Sequence, residues 1–261
     1  MKIEHIDNNE NFDFGRTSAD YAKYRDIYPP EFFSPIIDEG LCLKGQNILD
    51  LGTGTGVLPR ALYKYGGNWV GVDISQSQID EAVRLAGRDA MNIDFQCVSA
   101  ENMSFPDGTF DAAVACQCFT YFDHDRLAPI LNRILKDGGK FAVMYLAWLP
   151  FEDEIAQKSE QLVLKYNPKW TGCNERRRYI DIPKTYGKFF NLDKQEIFDL
   201  DIEFDTESWN GRMKSCRGIG ATLSQNEIEK WEKEHLDLLR CIAPKKFKIK
   251  HYAAYSILSK R

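Results

Sequence analysis

Apolar positions in the first 150 residues come in short runs separated by helix-periodic stretches. Asn47–Leu51 is apolar and stops at a glycine, which predicts a buried strand. Residues 55–65 then place Val57, Leu58, Ala61, Leu62 and Tyr65 on one helical face. Asn68–Asp73 is a second short apolar strand ending in a carboxylate. The helix after it opens on Ser75-x-x-Gln78, the pattern of a capping box. Ile79, Ala82, Val83 and Ala86 form its apolar stripe, and Gly87 is placed to end it. A third strand is predicted at Ile93–Val98, with Ile93, Phe95 and Cys97 alternating, and a fourth at Phe110–Cys116. The fifth is predicted at Gly139–Trp148, after the turn signal Lys136-Asp137-Gly138-Gly139.

The chemistry concentrates at the ends of these strands. Asp50-Leu51-Gly52-Thr53-Gly54-Thr55-Gly56 puts a carboxylate just before three glycines at alternate positions. On a strand-to-helix turn, bare backbone can approach a ligand closely. A dinucleotide turn needs Gly-x-Gly-x-x-Gly. Counting from Gly52 the sixth position is Val57, and from Gly54 it is Pro59, so neither register fits. A carboxylate in the turn repels a pyrophosphate and suits a ligand with an ammonium group. Asp73 follows Gly52 by 21 positions, the spacing at which a second-strand acid meets a ribose. A carboxylate can accept both ribose hydroxyls at once.

This order of motifs resembles the class I S-adenosylmethionine (SAM)-dependent methyltransferases over residues 20 to 150, with small-molecule, trans-aconitate methyltransferase-like members nearest. The resemblance implies a doubly wound α/β fold. It has a seven-stranded, mostly parallel sheet in the order 3-2-1-4-5-7-6, helices on both faces, and a helical lid or insertion. It implies a single methyltransferase domain over 1–261. Within it, 1–40 is an N-terminal lid, 41–150 the SAM-binding core, 151–245 a substrate-side lid with the sixth strand, and 246–261 the C-terminal strand. The cofactor would lie on Asp50, Gly52, Thr53, Gly54 and Gly56, with Asp73, Ile74 and Gln78 at the second strand. Ala100, Glu101 and Asn102 would cover the adenine, with Met103 and Phe105 offering apolar contact. Cys116, Gln117 and Tyr121 would line the methionine part, and Tyr24 and Arg25 would reach it from the N-terminal segment. Relatives carry a His where this chain has Thr120, so no residue is assigned as a catalytic base.

The acceptor side must come from the N-terminal segment and from residues after Tyr145. The candidates are Tyr21, Tyr28, Tyr145, Trp148, Trp209 and Arg212, as aromatic walls and a carboxylate clamp or as lid packing. Helices are predicted at Phe151–Tyr166 and Ser224–Leu239, and strands at Glu196–Phe204 and Phe247–Ser259. Arg176-Arg177-Arg178 either faces solvent or meets a substrate carboxylate. Lys246, Lys248 and Lys250 read as the solvated side of an edge strand.

Composition narrows the partners. A net charge of −5 opposes a generic nucleic-acid groove. The longest apolar run, Phe141–Leu149, cannot span a bilayer, and the N-terminus lacks a signal core. Seven cysteines without a Cys-x-x-Cys pair argue against disulfides or a zinc ribbon and fit a cytoplasmic location. Four scattered histidines suggest no metal site. The expected protein is thus a monomeric or homodimeric enzyme that methylates a small molecule from SAM by direct in-line displacement. The competing readings are a non-catalytic SAM- or nucleoside-binding module and, against the glycine count, an NAD-dependent oxidoreductase.

Overall fold

A computed structural model describes residues 6–17, 22–24 and 27–261. Seven strands form one sheet: β1 (Asn47–Leu51), β2 (Asn68–Asp73), β3 (Asp94–Cys97), β4 (Phe110–Cys116), β5 (Leu135–Trp148), β6 (Phe190–Asp205) and β7 (Lys246–Lys260). Their order is β3-β2-β1-β4-β5-β7-β6, as the resemblance implied. The pairs β1–β2, β1–β4, β2–β3 and β4–β5 are parallel. Strands covered on both faces should be apolar along their whole length. β1 and β4 nearly are, apart from the buried Asp50 in β1 and the half-buried Asp111 in β4.

The helices are α1 (Pro30–Asp38), α2 (Val57–Leu62), α3 (Gln76–Arg88), α4 (His124–Ile134), α5 (Glu154–Tyr166), α6 (Thr206–Lys214) and α7 (Gln225–Ile242). Helical spacing brings Leu127, Leu131 and Ile134 of α4 onto one face, where they pack with Ala113 and Ala115 of β4 and Phe141 and Val143 of β5.

Two compact units emerge. One comprises residues 29–146, 178–198 and 253–261; the other comprises 1–28, 147–177 and 199–252. The first holds β1 to β4 and α1 to α4. In the second, α7 packs on both α5 and α6. Its interior holds the fully buried Trp209 and Trp231.

Several local expectations change. Ser75 is the N-cap residue of α3 and its carbonyl accepts from Gln78 and Ile79 N–H, but the capping-box side-chain bond does not form, and its Oγ meets Ser77 Oγ at 3.1 Å. The buried face of α3 is Ile79, Ala82, Leu85 and Ala86, whereas Val83 is 53% exposed. Beyond its end the chain turns at Ala90, in the left-handed region, and not at Gly87. The Lys136–Gly139 turn signal becomes an irregularity inside β5. Phe110 pairs with Leu135 and Ala112 with Lys140, so extra residues bulge out around Gly138 at φ 73°. Lys246, Lys248 and Lys250 do alternate outward, but β7 is interior to the sheet and β6 is its edge.

Candidate functional site

The strand order reverses between β1 and β4, the place where open α/β sheets bind ligands beyond their carboxyl ends. Register puts Leu51 beside Val72 and Ala115, so Asp50, Asp73 and Cys116 share that edge. The glycine spacing has a backbone cause. Gly52, Gly54 and Gly56 lie at φ 60°, 55° and 72°, a region closed to most side chains. Between them Thr53 N–H donates to Val72 O at 2.9 Å, which locks the turn to β2.

Side chains also press on these glycines. A Cβ on Gly52 would come within 2.8 Å of Cys118 Cβ, and one on Gly56 within 2.7 Å of the Phe95 ring. A Cβ on Gly71, inside β2, would meet the same ring at 2.8 Å and Thr53 Oγ1 at 2.7 Å. Part of the glycine requirement is therefore internal packing, not ligand approach. The sequence reading named neither Cys118 nor Phe95 for this duty. A glycine in the middle of an apolar strand was the available signal.

Asp73 is half-buried and held by backbone amides, Ile74 among them. Its Oδ2 accepts from Gly54 N–H and its Oδ1 from Ser75 N–H, each at 2.9 Å. Burial raises its pKa, and these backbone donors oppose the rise. Asp50 is 2% exposed. Burial pushes its carboxyl up to about 7, the Thr53 side chain opposes this, and the Asp73 charge adds to it. Ile74, next in line, is 61% exposed, an apolar surface at the lip of the crevice.

The remaining predicted cofactor residues divide. Ala100 is buried in a 3₁₀ turn with Met103, which joins the core with Phe105 packed against it, so those two offer the adenine no wall. Glu101 Oε1 accepts from Asp123 N–H at 2.9 Å, and Asn102 Oδ1 accepts from Arg126 at 2.8 Å. Gln78 is 2% exposed on the inner face of α3. Gln117 takes φ 68°, and its Nε2 donates to Leu146 O at 2.7 Å. Tyr121 is half-buried in the turn that follows. Tyr24 lies against Gly211, and its hydroxyl donates to Glu207 at 3.2 Å. Arg25 and Tyr21 lie outside the described residues.

Among the acceptor candidates, Tyr28 is half-buried. Trp148 and Trp209 meet edge to face at 5.6 Å inside the second unit, and their indoles donate to Glu160 and Ser159. Trp209 has no exposed surface, which makes it a packing residue and not an open wall. Arg212 is buried over the Trp148 ring at 5.0 Å. Tyr145, by contrast, lines a cavity of about 70 Å³ together with Gln117, Thr120, Arg178, Tyr179 and Asp181. The sequence reading had not singled out residues 179–181, which carry no motif.

Comparison with known proteins is consistent with this geometry. Residues 48–139 match the family model described as a methyltransferase domain. A ubiquinone biosynthesis O-methyltransferase of Coxiella burnetii is 34% identical over 105 residues, 40% of this chain and 45% of the relative. The chain thus spans less than half of that relative's length. An uncharacterized methyltransferase of Schizosaccharomyces pombe is 26% identical over 223 residues, 84% of this chain and 83% of its own. An N-methyltransferase of Haemonchus contortus, solved with phosphomonomethylethanolamine and S-adenosylhomocysteine, shares the fold at TM-score 0.55. It is 18% identical, covering 94% of this chain and 57% of that one.

Proposed function

We propose that this chain, which carries a class I SAM-dependent methyltransferase domain over residues 48–139, methylates a small-molecule acceptor by direct in-line displacement. One observation carries the reading. The acid proposed for the ribose, Asp73, sits on the glycine turn at the sheet's switch point, facing the crevice. A carboxylate has about four acceptor sites, and the Gly54, Ser75 and Ile74 amides use part of them.

The residues present suit the nucleoside. Asp73 can accept a sugar hydroxyl on the acceptor capacity its backbone donors leave. The exposed Ile74 offers the base an apolar face. Asp50, once ionised, places negative charge behind the turn where an ammonium would lie. Gln117, fixed by Leu146 O, is a rigid rim for the amino-acid end. When bound, SAM supplies a methyl group already activated on sulfonium. The protein's share is then alignment and exclusion of water, which in favourable cases lowers a barrier by ~7–11 kcal/mol. A base is needed only for an acceptor that must lose a proton. The name of the Coxiella relative is consistent with a small-molecule acceptor.

Calorimetric titration with SAM and NAD, followed by transfer from labelled SAM into a metabolite extract, tests the reading. One saturable SAM site with label in a small product is the expected result. Binding of NAD in place of SAM would overturn it. SAM binding with no transfer would favour a non-catalytic binding module.

A further inference from the structure

Asp50 is a buried acid without a cation. It is 2% exposed and stands one residue before the end of β1, between Gly71 of β2 and Val114 of β4. Gly71 adds no side chain beside it, and the space its Cβ would take is bordered by the Thr53 hydroxyl and the Phe95 ring. Among the described residues, no lysine, arginine or histidine pairs with Asp50, and no backbone amide donates to it. The other acids withdrawn from solvent are provided for. Asp7 pairs with Arg217 and accepts the Thr171 amide. Glu160 accepts the Asn174 amide and the Trp148 indole. Asp73 accepts the Gly54 and Ser75 amides.

The titratable groups facing Asp50 add no positive charge. They are Asp73 at the end of β2, the Cys42 thiol ahead of β1 and the Cys118 thiol after β4. A carboxyl taken from water with neither a cation nor a backbone donor keeps its proton. Burial accordingly pushes Asp50 up to about 7. In the methyl-transfer reading, the ammonium of the amino-acid tail lies over the glycine turn that follows Asp50. An opposite charge within about 4–6 Å favours the ionised carboxyl, and contact is not required.

Resting on that reading, we propose that the cofactor, binding through its ammonium, drives one proton off Asp50 into solvent. The carboxyl O–H bond breaks, its electron pair stays on oxygen, and the ligand's ammonium balances the charge that forms. Asp50 is thereby a specificity residue. An adenine nucleoside with no charged tail leaves it protonated and gains nothing from it.

The test titrates the full chain calorimetrically at pH 6, in two buffers of different ionisation enthalpy, which counts the protons exchanged. The probes are S-adenosylhomocysteine and 5′-methylthioadenosine, which shares the adenine, ribose and thioether but has no amino-acid tail. Close to one proton should leave with the first and none with the second. Affinity for S-adenosylhomocysteine should rise about tenfold from pH 5 to pH 6 and level off above pH 7. Both probes carry the ribose, so a proton from Asp73 would appear with both and cancel in the difference. Asp50→Asn should abolish the difference, and the two probes on the unaltered chain decide the matter if that variant does not fold. No release with S-adenosylhomocysteine, equal release with both probes, or an Asp50→Asn variant that keeps the difference would each overturn the proposal and leave the cofactor reading standing. Methylthioadenosine binding without any S-adenosylhomocysteine binding at pH 6 or pH 8 would remove both together.

Discussion

Asp73 accepts the Gly54 amide at 2.9 Å, so the acid at the end of β2 closes the glycine turn at the end of β1. Thr53 N–H is spent on Val72 O and Gly56 N–H on Thr53 O, while Gly54 N–H is turned toward an anion. Here the anion is a side chain of the protein itself. Asp73 thus shapes the crevice before any ligand arrives, and a substitution there has two separable consequences.

Asp73→Ala should weaken SAM binding at least about tenfold, equivalent to ~1.4 kcal/mol, through loss of the sugar-binding carboxylate. It should also destabilise the fold by about 1–3 kcal/mol, because Gly54 N–H and Ser75 N–H lose their acceptor. Asp73→Asn keeps one acceptor oxygen and should recover part of the stability but little of the affinity. Calorimetry and denaturant unfolding measure the two effects separately. An unchanged dissociation constant in both variants would reject the ribose assignment.

Gly52→Ala should cost stability by two routes. The left-handed φ of 60° disfavours a Cβ by about 1–2 kcal/mol. The new atom would also stand 2.8 Å from Cys118 Cβ and 2.9 Å from its sulfur. Cys118→Gly removes both neighbours. In a double-mutant cycle the pair should therefore be less destabilised than the sum of the singles. Simple additivity would mean that Cys118 does not press on the turn.

β1, β2, β4 and the crevice were legible because each of those strands is short, mostly apolar and stopped by a residue with a backbone reason to be there. Gly52, Gly54 and Gly56 are an example: their spacing records three left-handed turns. Faces were less legible. Val83 and Leu85 are equally apolar, and only neighbouring packing decides that Leu85 is buried. Beyond residue 150, partners distant in sequence decide everything. Trp209, which the sequence leaves open between an acceptor wall and packing, is a packing residue held in the interior by Ser159, fifty positions away. Arg176, Arg177 and Arg178 are chemically identical, and neighbours such as Phe151, Asp199 and Tyr145, distant in sequence, give them different surroundings.

Ser159 is the hub of the second unit. Its Oγ lies 2.9 Å from Trp209 Nε1, 2.9 Å from His235 Nε2 and 2.8 Å from Ile155 O. Asn210 Nδ2 donates to Glu232, so Asn210 Oδ1 accepts from His235 Nδ1–H, and the unprotonated Nε2 shares the single Ser159 hydroxyl proton with Ile155 O. Ser159→Ala would bury Trp209 N–H and His235 Nε2 without partners. A loss of about 1–3 kcal/mol is expected in denaturant unfolding, with SAM affinity unchanged. If affinity falls and stability does not, the network serves binding and not packing.

Acid sensitivity follows from two opposed sets of buried groups. Burial lowers His235 and His251 to about 3, from an ordinary 6.5. The unfolded chain therefore takes up their protons first, and the stability they favour is present above pH 6.5 and lost as pH falls toward 3. Asp50 has the opposite sign. Its pKa of about 7, against an ordinary 3.8, means the folded state holds the proton longer. Its contribution is full below about pH 4 and fades as pH rises through 7. Between these limits one carboxyl offsets part of the slope set by two imidazoles. Asp50→Asn removes that offset, so unfolding free energy measured from pH 7 to pH 4.5 should fall more steeply than in the unaltered protein. The added slope should approach about 1.4 kcal/mol per pH unit, one proton's worth. Identical slopes for the two proteins would mean that Asp50 is ionised throughout, and that its burial is relieved by a contact other than Thr53.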